Sequence, residues 1–258
     1  MIDLVSHFSA LGLAAVVIVA AVLVSLGCLW LVRRFAVRLH FVEATQFGEI
    51  FSASIGLIVA LIFAFVTMAV WENYDKVDGV VFREAHVLHN IHRNLESYPP
   101  RISEPARAIM HDYVRRVVDH EWKATAKGKP DDAATQMLYR IGALLTAYRV
   151  TDIGEIPLHA ETLRLIAEHR SLSRDRIKGG EPCLEPPMWI ALISGAFILI
   201  VYSCFFVVPR FGHHVVMISV LGAALGLMFY LLLVYNYPFT GPAAVSSEPY
   251  QQLLTYWK

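Results

Sequence analysis

Charge is what most of this chain lacks. Only 17% of its 258 residues are charged, against 56% hydrophobic, and the mean hydropathy is +0.51. Both shares depart from those of a soluble globular domain. The few charges are also gathered in one place: 17 of the 22 Lys+Arg and 18 of the 22 Asp+Glu lie between Trp71 and Trp189. The balance is neutral, which removes the electrostatic footprint of a nucleic-acid binder and of a strongly acidic or basic partner. Cysteine is scarce as well. Cys28, Cys183 and Cys204 are an odd and scattered set, which excludes a disulfide framework or a cysteine zinc site and suits reduced or lipid-buried thiols, Cys28 and Cys204 lying inside apolar segments. Catalytic signatures are missing too: there is no G-x-S-x-G elbow, phosphate loop, Gly-rich dinucleotide turn or H-E-x-x-H pair.

What is present is length without charge. Four uncharged runs, Ala10–Val32, Ile50–Trp71, Pro187–Val208 and Val215–Asn236, are each long enough to cross a hydrocarbon core, which takes about 20 helical residues. The first is no cleavable signal, because Arg33, Arg34 and Arg38 follow it rather than precede it. The expected architecture is an all-α integral membrane protein in four parts: a transmembrane hairpin over 1–71, a helical soluble domain over 72–186, a second hairpin over 187–236 and a tail over 237–258. An even number of spans puts both termini and the soluble domain on one side. Arginines of the short loops and cations flanking the soluble domain nearly balance, so the positive-inside rule does not choose that side. Reduced thiols point to the cytoplasm.

Helical periodicity fills the middle. Val81, Leu88, Ile91 and Leu95 form one apolar stripe, interrupted by Glu84, which either binds a neighbouring cation or helix end or sits on the flank of the stripe. Tyr98-Pro99-Pro100 should stop that helix, and Ser103 should cap the next, which carries Ile109, Tyr113, Val117 and Val118. Asp131 or Asp132 caps a third helix through Met137, Ile141, Leu144 and Tyr148, and a fourth lies near His159–Arg174. In the tail, Tyr250, Leu253, Leu254 and Trp257 make a stripe suited to packing on the soluble domain or at the lipid interface.

Candidate chemistry is sparse. His86, His89 and His92 step by three along a helix, which spreads them over about 120° and favours a solvated face over a metal site. No metal, cofactor or catalytic residue is expected. His120 beside Glu121 and Trp122 reads as a polar edge next to a buried indole. Arg170, Arg174, Arg176 and Lys178 precede the third span, where they can concentrate anions at a pore mouth or compensate a helix end. In the second span Ser52, Ala53, Gly56 and Ala60 are small, as a close helix contact or a ring of helices around an axis requires. No intramembrane Asp, Glu, Lys or Arg marks a proton relay or substrate site.

Several residues together resemble the bestrophin-like membrane proteins of bacteria. They are Trp71-Glu72-Asn73-Tyr74, Arg83-Glu84-Ala85 with Leu88, Tyr113 before Glu121-Trp122, Ser173-Arg174-Asp175-Arg176 and Pro187 with Trp189. The tail Tyr237-Pro238-Phe239-Thr240-Gly241 with Ser247-Glu248-Pro249-Tyr250 completes the pattern. The resemblance covers nearly the whole chain and reaches, more distantly, the bestrophins themselves, which are pentameric anion channels with cytoplasmic termini. It implies a homo-oligomeric ion channel of the bacterial inner membrane, anion-selective, with the lipid bilayer and inorganic ions as partners. Aligned on Trp71 and Tyr74, it places the pore neck of the second span at Ala53, Leu57 and Leu61, where bestrophins carry bulkier residues. The acidic calcium cluster of bestrophins has no counterpart, so calcium gating is not implied. A second function class fits the size of the middle domain: a non-conducting scaffold or sensor that binds a protein partner.

Overall fold

The computed structural model describes residues 9–36, 46–206 and 210–257, and the side chains of Ala36, Gln46, Phe47 and Glu49 are outside that description. Arg38 and the end of the expected third span, Val207 and Val208, fall outside it as well. Among the described residues every regular element is helical: α1 (Ala10–Ala36), α2 (Gln46–Leu95), α3 (Pro100–Arg116), α4 (Trp122–Thr125), α5 (Asp132–Ala147), α6 (Ile156–Lys178), α7 (Pro186–Cys204), α8 (Phe211–Tyr235) and α9 (Glu248–Tyr256). A π turn, Val117–Glu121, joins α3 to α4, and a 3₁₀ turn, Ile153–Glu155, precedes α6. Four helices, α1, α2, α7 and α8, are long and apolar enough to cross a membrane, so the all-α, four-span fold expected from the sequence is the one observed.

The chain divides into two compact units: a four-span unit (1–72, 183–236 and 241–243) and a helical unit (73–182, 237–240 and 244–258). In the four-span unit, α1 and α8 cross at glycines. A Cβ on Gly222 would lie 2.6 Å from Ser25 Oγ, and one on Gly226 would lie 2.9 Å from the Ile18 Cα. Where lipid replaces water, helices associate by such close packing rather than by the hydrophobic effect. The core of this unit gathers Leu29, Val59, Phe63, Leu192, Ile218 and Leu232, with Phe63 and Phe229 edge to face at 5.1 Å. Asn236 closes the unit below α8: its Oδ1 accepts from the Leu184 N–H at 2.7 Å, and its carbonyl oxygen accepts from the Cys183 N–H at 3.4 Å.

The helical unit buries the stripe read from α2: Val81, Leu88, Ile91 and Leu95 are all inaccessible. Leu88, Ile91 and Leu95 pack with Met110, Val114, Ile141, Leu145 and Leu165, each worth about 1.5–3 kcal/mol of burial for a side chain of this size, while Val81 packs with Val77, Phe239 and Val245. The tail stripe joins the same core through Tyr250, Leu253 and Trp257, with Leu254 packed at its edge. Asp131 caps α5, its Oδ1 accepting from the N–H groups of Ala133 at 2.8 Å and Ala134 at 3.4 Å.

Several boundaries differ from expectation. The helix of the second span continues past Trp71: α2 runs unbroken to Leu95, because no proline intervenes and Gly79, with open space around it, is tolerated within a helix. Ser103 is not a cap. α3 begins three residues earlier at Pro100, a first-turn position where the missing N–H costs nothing. The helix near His159–Arg174 extends to Ile156–Lys178. The helix of the fourth span begins at Phe211 rather than Val215, with His213 and His214 in its first turn.

Candidate functional site

The second span presents two faces. Val59 and Phe63 point into the four-span core and are 6% and 4% exposed, while Leu57 and Leu61 point outward and are 70% and 54% exposed. Ala53 is exposed on the same side. The i, i+4, i+8 spacing of Ala53, Leu57 and Leu61 therefore makes one open apolar strip, continued by Phe65 and Met68. The four small residues do not act together. Gly56 meets Leu199 of α7, where a Cβ would touch its Cδ1 at 3.8 Å, whereas Ala53 and Ala60 stay on the open side. Glycine serves helix packing here, and the alanines belong to the open strip.

The helical unit holds a second constellation, and it is ionic. Arg176 of α6 is fully buried and donates from Nε to Glu84 Oε2 at 2.7 Å, from Nη1 to Thr125 Oγ1 at 2.9 Å and from Nη2 to Glu121 Oε2 at 3.0 Å. Its guanidinium lies over the rings of Trp122 (5.4 Å) and Tyr250 (5.9 Å). Each element delivers its residue for a local reason. Glu84 is the polar position inside the apolar stripe of α2. Glu121 ends the π turn, whose extra residue per turn is marked by the Trp122 N–H bonding the Val117 oxygen five residues back. That wider turn brings Glu121 inward beside Trp122, and the Trp122 indole N–H donates to the Val245 oxygen at 3.3 Å. Gly180 supplies the last condition: a Cβ there would land on the Thr125 carbonyl oxygen, so only glycine lets the end of α6 close on α4.

Around this centre lie polar groups with unfilled valences. Glu84 Oε1, the Tyr113 and Tyr250 hydroxyls and both ring nitrogens of His169 are buried without a hydrogen-bond partner. His169 Nε2 stands 3.9 Å from Glu84 Oε1, and its ring meets Tyr113 edge-on at 5.5 Å. Burial, then the charges of Arg176 and Arg170, push the His169 pKa down to about 3, so the ring is neutral. Burial and then the Glu84 charge hold both tyrosines well above their ordinary range. Burial also raises Glu121 against the lowering pull of Arg176. Burial costs Arg176 its hydration, but the facing Glu84 and then the other neighbouring charges more than compensate, and it stays charged.

The four cations expected at a pore mouth therefore separate. Arg176 is withdrawn into the helical unit and committed to two glutamates, which corrects its expected solvent-facing role: an arginine paired in a dry interior does not raise the local concentration of mobile anions. Arg170 is half-buried, donating to the Leu138 oxygen at 3.2 Å and lying 4.9 Å from the centre of the Tyr139 ring. Arg174 and Lys178 are exposed. The histidine row disperses in the same way: His86 bonds Asn90 at 3.2 Å, while His92 accepts from Arg107 Nε at 3.0 Å and stacks on Trp257 at 4.3 Å. Among the described residues no group of three or more His, Cys, Asp or Glu gathers to hold a metal.

Sequence and structure comparisons agree with this layout. The sequence profile of the bestrophin-like domain matches residues 19–250. The chain belongs to the bestrophin-like family. Two solved structures of a bacterial bestrophin homolog from Klebsiella pneumoniae, each of a single-residue variant, share its fold. The leucine-to-threonine variant has a TM-score of 0.65 at 12% identity, over 95% of this chain and 97% of that one. The tryptophan-to-alanine variant has a TM-score of 0.64 at 12% identity, over 97% of both chains. A structure described only as a membrane protein, a proline-to-alanine variant, matches with a TM-score of 0.63, at 12% identity over 95% of this chain and 96% of that one. At that identity the likeness is one of fold. No curated protein matches the chain in sequence.

The residues that suggested this family occupy different places. Trp71 is half-exposed and meets Tyr235 edge-on at 4.9 Å within the four-span unit. Glu84, Glu121 and Trp122 form the Arg176 centre, Phe239 packs on Trp122 at 5.5 Å, and Tyr74 packs on the small cluster of Val77, Val81 and Val245. The Pro238 oxygen accepts from the Val245 N–H at 2.7 Å, and Gly241 has φ +87°, a backbone region only glycine enters without strain. Arg176 as a centre, with His169, Thr125 and Tyr250 beside it, was not foreseen. A signal for it exists: Leu165, His169, Leu172 and Arg176 recur at four-, three- and four-residue steps on the buried face of α6, which puts a histidine and an arginine in core positions.

Proposed function

We propose that this protein is a homo-oligomeric ion channel in which the open strip of α2, Ala53, Leu57 and Leu61, lines the pore. The observation that carries the reading is the strip itself. It is apolar, free of ionisable groups and exposed on one chain, in a family whose better-known relatives, the bestrophins, are pentameric anion channels. Repeated around a symmetry axis, such a strip makes a hydrophobic constriction that gates by wetting and drying. Five copies around the axis, and anions as the favoured ions, follow from the family resemblance. Arg174 and Lys178, the exposed members of the basic set, are the residues left to draw anions toward the entrance. The bacterial inner membrane, with the helical unit and both termini in the cytoplasm, is the setting this reading requires.

The test is conduction by the purified protein in planar bilayers, together with its mass in detergent. An oligomer that conducts, with Leu61→Ala raising conductance or open probability, supports the reading. A monomer, or bilayers silent across several salts and voltages, contradicts it and favours a scaffold or sensor whose helical unit binds a protein.

A further inference from the structure

The Arg176 centre is short of one positive charge. Two carboxylates and one guanidinium share a volume that water does not reach: the side chains of Glu84 and Arg176 are 0% exposed and that of Glu121 is 2% exposed. With both glutamates ionised, the group carries a net negative charge in a dry interior, which is costly in a way that a matched pair is not.

The groups facing it from each packed element do not supply the balance. From α6, His169 is neutral, and Arg170 turns to the Leu138 oxygen and the Tyr139 ring. From α3 and α9, Tyr113 and Tyr250 offer neutral hydroxyls. From α4, Thr125 accepts one guanidinium N–H. At the rim, the Asp131 backbone N–H reaches Glu121 Oε1 at 3.4 Å, and Arg116 is spent on the Asp131 carboxylate at 2.7 Å. Among the described residues no second arginine or lysine bonds either glutamate.

We propose that the Glu84–Arg176–Glu121 cluster is a proton-binding site, holding one proton on its glutamate pair while the helical unit is folded at neutral pH. Glu84 Oε1 is the open position, since a proton can add there without displacing either guanidinium bond. The Tyr250 hydroxyl already faces the Glu84 carboxyl and can accept the hydrogen bond that the new O–H would donate. No other bond forms or breaks. The charge of the cluster becomes zero, and the proton belongs to the pair rather than to one residue. Titration of that proton is then a route by which pH acts on the helical unit, whether or not the protein conducts.

Infrared spectroscopy of the full chain in lipid reads this directly, through the carbonyl stretch of a protonated carboxylic acid. At pH 7 the wild-type spectrum should contain one such acid per chain. Glu84→Gln and Glu121→Gln should each abolish it, because the surviving carboxylate then matches Arg176 one to one, and each amide oxygen still accepts the guanidinium N–H. Absence of the band in wild type overturns the proposal without recourse to any variant. A band that survives in both variants overturns it too. So does a band lost in one variant only, because the proton would then follow that residue's own burial rather than the shared charge count.

Discussion

In the four-span unit α8 approaches α1 closely through glycine, at Gly222 and Gly226. In the helical unit α2, α6 and the π turn before α4 converge on charge, at Arg176 between Glu84 and Glu121. The contrast follows from the surroundings of each unit. A membrane span gains little by hiding apolar surface from lipid, so its specificity rests on shape, and an uncovered apolar strip such as that of α2 carries no penalty there. A helical unit with a conventional core gains most of its stability from burial. An ion pair adds little to that stability, yet losing one partner is severe. Shape therefore holds one unit together, while in the other a few charges must stay matched.

Breaking the charge side should have the largest effect. Arg176→Met leaves Glu84 and Glu121 buried without a counter-ion and should cost about 3–5 kcal/mol in denaturant unfolding, enough to threaten expression. Adding Glu84→Gln and Glu121→Gln to that variant should restore part of the loss, since no unpaired charge remains. If the triple variant is no better than Arg176→Met alone, the centre acts through shape and the contrast fails.

The shape side comes next. Gly226→Val drives a side chain onto the Ile18 backbone and should cost about 1–3 kcal/mol, whereas Gly27→Ala on α1, with nothing within 4 Å of a new Cβ, should leave thermal stability within about 1 kcal/mol of wild type. Equal effects at the two glycines would remove the argument for a glycine-made crossing.

Acid sharpens the comparison further, because two histidines of the helical unit are held neutral. Burial, followed by neighbouring charges, lowers His169 to about 3 and His92 to about 4. Each binds a proton more tightly when unfolded than when folded. Their stability contribution is thus complete above about pH 6.5 and is lost as pH falls toward 4. His169→Leu should make the fall in melting temperature between pH 6.5 and 4 about half as steep. An unchanged slope would show that His169 is already charged or hydrated in the folded chain. The smallest stability change belongs to the open strip: Leu57→Ala should shift unfolding by no more than about 0.5 kcal/mol, because that side chain is 70% exposed, while altering conductance.

Much of the fold was legible because long uncharged runs and helical stripes report it directly. The four spans, the Val81–Leu95 stripe, the Asp131 cap and the Tyr250–Trp257 stripe all appear where periodicity puts them. Helix ends were less legible, since Pro100 reads equally as a stop for one helix and a first turn for the next. The Arg176 centre was legible only in part. Glu84 stood out by interrupting an apolar stripe, where a cation partner, a helix end and a flank position were all open readings. Its partner could not be named, because Arg176 lies 92 residues further along and its neighbours Arg174 and Lys178 are exposed, which made all three look alike. The π turn that brings in Glu121 leaves no mark in the sequence. Normal helical spacing would point Glu121 and Trp122 about 100° apart.

The central claim is that the open strip of α2 faces a water-filled path for ions. It is tested most directly by thiol modification during current recording. In a background with Cys28, Cys183 and Cys204 replaced by alanine, Leu57→Cys is reconstituted in a planar bilayer and exposed to a charged, water-soluble methanethiosulfonate. The account predicts a stepwise change in current that the parent background does not show. Steady current after complete modification, or a cysteine that the reagent never reaches while the channel conducts, would contradict it.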